Sequence, residues 1–143
     1  MRMSFDYDGT IGHKESVRDY AKDLVSRGFE VWIVTARYAD PNDYSREFCL
    51  KYHIADISKE HRELFEVADE CGISRDHIKF VNMEAKLEFF IDKPEFIWHL
   101  DDDGIECNGI NHYTKTVGIC CTSSNWRHKC ERLIRRRLKD GNI

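Results

Sequence analysis

The feature that most constrains this chain is the alternation of short apolar segments with longer amphipathic ones. The segment Glu-Val-Trp-Ile-Val-Thr (residues 30–35) is apolar at successive positions, which is typical of a strand buried on both faces of a parallel sheet. Residues 16–27 instead repeat apolar side chains at helical spacing, and Gly28 follows as a helix stop. Strands that alternate with helices indicate right-handed crossovers, and therefore a mainly parallel sheet with helices on both faces.

The same alternation continues along the whole chain. Predicted strands cover residues 3–7, 30–35, 78–81, 96–100 and 117–121. Predicted helices cover residues 16–27, 43–53, 59–71, 84–90 and 126–138. A length of 143 residues suits one domain with one core. The sequence therefore predicts a single α/β domain over residues 1–143, three-layered (α/β/α) and Rossmann-like.

Charge and hydropathy limit the classes of partner that the chain is expected to bind. The formal net charge of −4 disfavours general binding to nucleic acid or to anionic membranes. No apolar run reaches the roughly 18 residues that span a bilayer, and the first residues carry no apolar signal region. We therefore predict a cytoplasmic protein with no membrane partner and an undetermined oligomeric state. A basic segment at residues 126–138 leaves nucleic acid open as a partner, although a solvated helix face is the simpler interpretation.

Six cysteines are spread over the chain. Because there is no secretory signal and the chain can form a core without staples, they are expected to be reduced thiols that pack as small hydrophobes. The alternative is a zinc site drawn from the following residues: Cys107, His112, Cys120, Cys121, His128 and Cys130. The sequence has no CxxC pair, which structural zinc sites usually contain.

Polar side chains stand directly after three of the predicted strands. Asp6 and Asp8 follow the first strand, and Thr35 ends the second. An Asp-Asp-Asp run at residues 101–103 follows the fourth. Ligand sites of parallel α/β sheets lie at the carboxyl ends of the strands, where these residues are predicted to converge.

The pair Asp6 and Asp8, followed by Gly9, indicates metal-assisted chemistry. Two carboxylates this close at a strand end need a cation or hydrogen bonds to compensate them. Carboxylate and carbonyl oxygens are the ligands that Mg²⁺ prefers, and a carboxylate can also attack phosphorus. Gly9 lets the backbone turn and approach a ligand closely. A solvated acidic turn and a calcium loop are the alternatives, although the further acidic positions of a calcium loop are absent.

Residues 5–10 (Phe-Asp-Tyr-Asp-Gly-Thr) resemble the first signature of the haloacid dehalogenase superfamily of phosphohydrolases, a strand ending in Asp-x-Asp-Gly-Thr. The strand that ends in Thr35 is similar to the second signature of that superfamily. Lys86 matches the lysine of the third signature, with Lys79 as a rival, and residues 97–102 (Ile-Trp-His-Leu-Asp-Asp) match the fourth, a strand ending in paired acids. All four signatures occur in the order of the family and cover most of the chain.

The resemblance implies a magnesium-dependent phosphatase that works through an aspartyl-phosphate. In such an enzyme Asp6 attacks phosphorus, while Asp8 protonates the leaving oxygen and then activates water. The resemblance also implies that Mg²⁺ binds through Asp6, the backbone carbonyl of Asp8 and the acids of the fourth signature. Among those acids we favour Asp101 and Asp102 over Asp103.

A phosphate-binding set is implied in the same way. Thr35 is expected to donate a hydrogen bond to a phosphoryl oxygen, and Lys86 to hold the phosphate and the nucleophile as a point charge. Neighbouring residues complete the predicted phosphate-binding set: Gly9, Thr10, Ala36 and Arg37. The alternatives are a structural role for Thr35, a solvated position for Lys86 and an exposed loop for Arg37. His99, inside an apolar strand, is predicted to be a core histidine.

Substrate choice in this superfamily depends largely on inserted cap domains. Residues 8–35 leave room for little beyond one helix, and most of residues 35–86 is needed by the core itself. The resemblance therefore implies little or no cap, and capless members often act on large substrates. The expected substrate is a phosphorylated macromolecule, a nucleic-acid end or a nucleotide.

Three other functions stay open. A non-catalytic module could keep the metal site without turnover. A receiver-like phosphoaspartate switch also combines a parallel sheet with paired acids, Thr and Lys, but its phosphorylated Asp normally follows an interior strand. A phosphotransferase or dehalogenase is the third, and the dehalogenase is disfavoured because Asp8 suits protonation of a leaving oxygen.

Overall fold

The computed structural model of the chain describes residues 1–141. Within them, five strands form one sheet: β1 (Arg2–Phe5), β2 (Glu30–Thr35), β3 (Ile78–Phe80), β4 (Phe96–Asp101) and β5 (Val117–Cys120). Six α-helices accompany them: α1 (Glu15–Ser26), α2 (Arg46–Lys51), α3 (Ile57–Cys71), α4 (Leu87–Phe90), α5 (Gly104–Tyr113) and α6 (Trp126–Gly141). Short 3-10 turns cover Pro41–Asp43 and Arg75–His77. The predicted α/β class is confirmed.

The strands are arranged in the order β3-β2-β1-β4-β5, and every pairing is parallel. This order is that of a doubly wound, Rossmann-like sheet, whereas flavodoxin-like receivers have the order 2-1-3-4-5. The direction in which strands are added reverses between β1 and β4. A crevice therefore opens beyond the carboxyl ends of these two strands, and ligands of such sheets bind there.

Helices cover both faces of the sheet and give the domain three layers. On one face α1, α3 and α6 pack over a large core, in which Trp98 makes an edge contact with Phe5 at 5.4 Å and stacks on Tyr20 at 6.1 Å. On the other face α4 and α5 cover a smaller core made of Val34, Val81, Phe90, Phe96 and Ile110. No helix of residues 1–141 combines the length and apolar character needed to cross a membrane.

The helix predicted over residues 43–53 is wrong in its extent. Pro41–Asp43 forms a 3-10 turn, and α2 begins only after Ser45, whose Oγ accepts a hydrogen bond from the Phe48 backbone N–H at 3.0 Å. This capping bond satisfies an N–H that the first turn of a helix leaves without a partner, and it sets the start of α2. The segment between β2 and α3 thus contains one 3-10 turn and one short helix, a small insertion rather than a separate layer.

The sequence prediction missed α5. Its segment contains several residues of low helix propensity, namely Gly104, Asn108, Gly109 and Asn111. The helix nevertheless has a clear start, because Asp103 Oδ1 accepts hydrogen bonds from the N–H groups of Ile105 at 2.9 Å and Glu106 at 3.4 Å. An Asp followed three residues later by Glu is a helix-start signal that the weak apolar pattern concealed.

Close packing of α5 on β5 gives a test of this architecture. A Cβ at Gly118 would lie 2.5 Å from the Cys107 carbonyl oxygen and 2.8 Å from its Cα, so helix and strand would have to separate. We expect Gly118→Ala to lower the free energy of unfolding by about 1–3 kcal/mol in urea denaturation. Gly104→Ala is the control, because a Cβ there meets nothing within 4 Å. Equal stability of the two variants would contradict the packing described here.

Candidate active site

A buried lysine links the ends of the two central strands. Lys86 Nζ donates hydrogen bonds to Asp6 Oδ1 at 2.7 Å and to Asp101 Oδ2 at 2.6 Å. The most exposed of the three side chains, that of Asp6, is 7% exposed. Asp6 directly follows β1, and Asp101 ends β4, so both carboxylates stand at the crevice between these strands. The structure brings Lys86 to this point, whereas its rival Lys79 is exposed on β3.

The loop after β1 fixes the orientation of Asp6. Its backbone N–H donates to the Leu100 carbonyl at 2.8 Å, and its carbonyl accepts from the Ile11 N–H at 3.1 Å. Thr10 Oγ1 donates to Asp6 Oδ2 at 3.0 Å. Because Lys86 holds the other carboxylate oxygen, both oxygens of Asp6 are positioned by hydrogen bonds. The carboxylate is therefore held in one orientation toward the crevice.

Gly9 makes room for a third acid. Its φ of +75° lies in the left-handed region, and a side chain there would collide with the carboxylate of Asp102. Asp6, Asp101 and Asp102 each offer an oxygen, and these atoms lie within 4.8 Å of one another. Hard oxygen donors at this spacing suit Mg²⁺. Asp103, the less favoured choice, instead caps α5.

A buried chain of hydrogen bonds supports Asp101 from behind. His99 Nε2 lies 2.8 Å from Asp101 Oδ2, and His99 Nδ1 lies 2.8 Å from Ser4 Oγ. An ionised carboxylate only accepts, so Nε2 carries the proton and Nδ1 accepts from the Ser4 hydroxyl. The Asp103 N–H donates to Asp101 Oδ1 at 3.0 Å. His99 is fully buried and holds Asp101 in place.

In this cluster, burial and neighbouring charges shift the pKa values of the ionisable groups in opposite directions. Burial disfavours the charge on Lys86, but the carboxylates of Asp6 and Asp101 outweigh it and raise the pKa of the ammonium. Burial would also raise the pKa of Asp101, but His99 and Lys86 outweigh it and hold that pKa below its ordinary value. For Asp6 burial prevails, and its pKa is raised despite Lys86. The two carboxyl groups that share the ammonium of Lys86 thus have pKa values shifted in opposite directions.

Arg37 contacts Asp8 rather than open solvent. Its Nε and Nη2 donate to the two carboxylate oxygens of Asp8 at 2.8 and 2.7 Å, and its Nη1 donates to the Glu60 carbonyl at 2.9 Å. The guanidinium also lies 4.7 Å from the ring centre of Tyr7. Arg37 was predicted to bind phosphate. In this conformation its donors instead fix the orientation of Asp8, whose side chain is half exposed.

The two threonine hydroxyls that were predicted to bind phosphate are buried. Thr10 and Thr35 are fully buried. Thr10 donates to Asp6, and Thr35 Oγ1 accepts from the Arg37 backbone N–H at 3.3 Å. Both hydroxyls therefore organise the loops that follow β1 and β2, as strand-end hydroxyls do when backbone groups lack other partners. Ala36, from the same predicted set, lines the surface over the cluster.

An open cleft of about 540 Å³ lies over the cluster. Among the described residues that line it, six are acidic: Asp6, Asp8, Asp101, Asp102, Asp103 and Glu106. Lys86 is the one basic residue of that lining, and it already bonds to two of the acids. The cleft therefore carries excess negative charge, which repels an anion unless a cation compensates it.

Sequence reasoning missed Glu106 and the role of Cys121. Glu106 Oε2 accepts from the Lys86 backbone N–H at 3.1 Å, and the missed helix α5 carries it. Cys121 Sγ lies 3.8 Å from Thr10 Oγ1 and 3.5 Å from Lys14 Nζ, next to the loop after β1. Burial raises the pKa of this thiol. Among residues 1–141, no three of the residues proposed for zinc bring ligand atoms within reach of one ion, and the six cysteines form no disulfide.

Comparison of the sequence with models of protein families gave no match, and no curated protein matches it either. The resemblance to the haloacid dehalogenase superfamily stays a prediction. The geometry and charge of the site are therefore the basis for a functional assignment.

The buried ion cluster generates a prediction for Lys86→Met. Removing the ammonium leaves two buried carboxylates without a cation, so we expect the free energy of unfolding at pH 7 to fall by about 3–5 kcal/mol. Urea denaturation followed by circular dichroism measures the change. Lys79→Met, on the exposed side of β3, is the control and should stay within about 0.5 kcal/mol of the wild type. A loss for Lys86→Met no larger than that of the control would refute the cluster.

The deficit of Lys86→Met should shrink as the pH falls. In the wild type the pKa of Asp101 is lowered, so the stability it contributes is present above its ordinary pKa of 3.8 and is lost as the pH falls below that value. In the variant the uncompensated acids have raised pKa values, so the fold is favoured at low pH and loses stability as the pH rises. The difference in the free energy of unfolding between the wild type and Lys86→Met should therefore be smaller at pH 5 than at pH 7. A deficit independent of pH would contradict this account.

Proposed function

We propose that the chain is a magnesium-dependent phosphomonoesterase with Asp6 as its nucleophile. The observation that carries the proposal is the acidic cleft, whose buried lysine holds the nucleophile and a neighbouring acid. A phosphomonoester is an anion, and it can approach six carboxylates only together with a cation. Asp6 stands at the crevice where doubly wound sheets bind their ligands.

The residues around Asp6 fit Mg²⁺. Asp6, Asp101 and Asp102 offer hard carboxylate oxygens within 4.8 Å of one another. The cleft is open to solvent, which can supply the water ligands that a magnesium ion retains. When bound, the ion neutralises repulsion between carboxylate and phosphate and stabilises the charge on the transferring group.

Asp6 performs the first step in this proposal. Lys86 and Thr10 hold its two oxygens, so the carboxylate loses little rotational freedom when it attacks phosphorus. A bond forms between an Asp6 oxygen and phosphorus, while the bond from phosphorus to the leaving oxygen breaks. Asp8 gives its proton to that leaving oxygen.

Asp8 also serves the second step. It accepts a proton from water, the water oxygen bonds to phosphorus, and the Asp6 carboxylate is released together with inorganic phosphate. Arg37 holds Asp8 at the rim of the cleft through two parallel hydrogen bonds, and each carboxylate oxygen keeps a lone pair for the proton.

Replacing the nucleophile tests the proposal directly. Asp6→Asn should reduce magnesium-dependent hydrolysis of p-nitrophenyl phosphate by more than about a thousandfold, because an amide cannot form the acyl phosphate. Release of p-nitrophenol, measured with magnesium and with excess chelator, gives the rates. Asp92→Asn, at an exposed acid outside the cleft, is the control and should retain wild-type turnover. Equal rates for the wild type and Asp6→Asn would overturn the assignment, and absent turnover with retained magnesium binding would favour a non-catalytic module.

The role of Asp8 has its own signature. Asp8→Asn should slow hydrolysis of an alkyl phosphate by about 10²–10⁴-fold, since a poor leaving group needs a proton. The loss should be much smaller for p-nitrophenyl phosphate, whose leaving oxygen is stable without one. The ratio of the two losses in kcat is the measurement. The same loss for both substrates would exclude Asp8 as the general acid.

A further inference from the structure

A second cavity of about 280 Å³ adjoins the acidic cleft. Its apolar lining consists of Tyr44, Phe48, Tyr52, Ile54, Ile57 and Met83. We call these six residues the aromatic pocket. Asp8 borders both the pocket and the acidic cleft, so the two cavities meet at the carboxylate assigned to leaving-group protonation.

The rings of the pocket form a continuous series along the insertion between β2 and α3. Tyr44 and Phe48 have ring centres 5.3 Å apart, and those of Phe48 and Tyr52 are 4.6 Å apart. Tyr52 is 56% exposed and Met83 is 41% exposed, and both residues line the cavity. Neighbouring aromatic side chains of this kind offer π-faces and edges to another flat ring.

Met83 reaches the pocket through a strained backbone. It has a φ of +64° and follows Asn82 at +54°. Asn tolerates the left-handed region, but for Met this conformation is strained. Hydrogen bonds from the Met83 N–H to the Ala36 carbonyl at 2.6 Å and from the Asn82 N–H to the Arg37 carbonyl at 3.2 Å hold it there. Met83 thereby lines the same cavity as the three aromatic residues.

The direction of attack in the proposed reaction determines where the leaving group of the substrate lies. In an in-line displacement Asp6 and the leaving oxygen lie on opposite sides of phosphorus. The leaving oxygen must then be next to Asp8, and whatever is bonded to that oxygen continues past Asp8. Asp8 also lines the aromatic pocket, so that pocket is within reach of a group bonded to the leaving oxygen.

The charge around the pocket argues against a polyanionic substrate. The insertion over residues 36–56 carries four acids: Asp40, Asp43, Glu47 and Asp56. Its basic residues are Arg37, which already bonds to Asp8, and Arg46 and Lys51. A nucleic-acid strand gains affinity from cationic contacts along its backbone, and this rim offers few. A small substrate whose one phosphate lies in the cleft avoids that repulsion.

We propose that the aromatic pocket receives a flat aromatic ring on the leaving group of a small phosphomonoester. The ring belongs to a nucleoside base or to a phenol. This inference rests on the proposed phosphomonoesterase function, because the orientation of the substrate follows from the roles of Asp6 and Asp8. It makes the insertion between β2 and α3 the element that selects the substrate.

Binding of two non-hydrolysable probes tests the pocket separately from the chemistry. Phenylphosphonate and methylphosphonate differ only in the ring, and calorimetric titration of the wild-type protein with magnesium compares them. We expect phenylphosphonate to bind about tenfold more tightly or better. Phe48→Ala should reduce that ratio to about threefold or less, and Tyr52→Ala, at an exposed ring that the fold does not need, should reduce it in the same direction. Leu50→Ala, at a 67% exposed position of α2 outside the pocket, should leave the ratio unchanged. Equal affinities for the two probes would overturn the inference.

Hydrolysis then identifies the source of the ring. Adenosine 5′-monophosphate is compared with ribose 5-phosphate, and phosphotyrosine with phosphoserine, by kcat/KM. A gain of about tenfold or more in the first pair assigns a nucleoside, and the same gain in the second pair assigns a phenol. Turnover of all four at similar rates would uphold the proposed function and overturn the pocket. No turnover together with a preference for phenylphosphonate would uphold the pocket and overturn the phosphomonoesterase.

Discussion

One buried ammonium group holds the functional end of this fold together. Lys86 lies between carboxylates that end two adjacent strands, and it is the cation that opposes the cost of burying Asp6 and Asp101 at that depth. Well-packed apolar side chains would stabilise such a position as well or better, so stability alone does not account for the charges. In the proposed function their value is chemical, because they keep a carboxylate oriented, desolvated and close to the proposed cation site.

The sheet and the insertion between β2 and α3 contribute different kinds of side chain to the candidate site. The ends of β1 and β4 supply the charged groups, and the switch in strand order brings them side by side. The insertion after β2 contributes the aromatic rings, on elements too short to form a layer of their own. In the proposed function, the chemistry is therefore built on rigid strands, and selectivity on a segment that can change without disturbing them.

The sequence predicted the sheet and the centre of the site better than it predicted their surroundings. Successive apolar residues ending in acids are strong local signals, and they sufficed for Asp6 and Asp101 to be singled out, whereas Lys86 was singled out only through the family resemblance. Helix α5 was missed because glycines and asparagines weaken its pattern, and Glu106 was missed with it. The pairing of Arg37 with a carboxylate could not be predicted, since it depends on how two loops that are distant in sequence meet in space.

The left-handed backbone at Met83 has a consequence for how this protein can be altered. Glycine at that position would relieve the strain at no steric cost, and it would also remove a thioether from the wall beside the rings. If the aromatic pocket selects the substrate as proposed, heat tolerance and discrimination between substrates depend in opposite ways on this one residue. A lineage or a laboratory selection that rewarded heat resistance alone would then favour glycine there, at the expense of the pocket and with Asp6, Lys86 and Asp101 untouched.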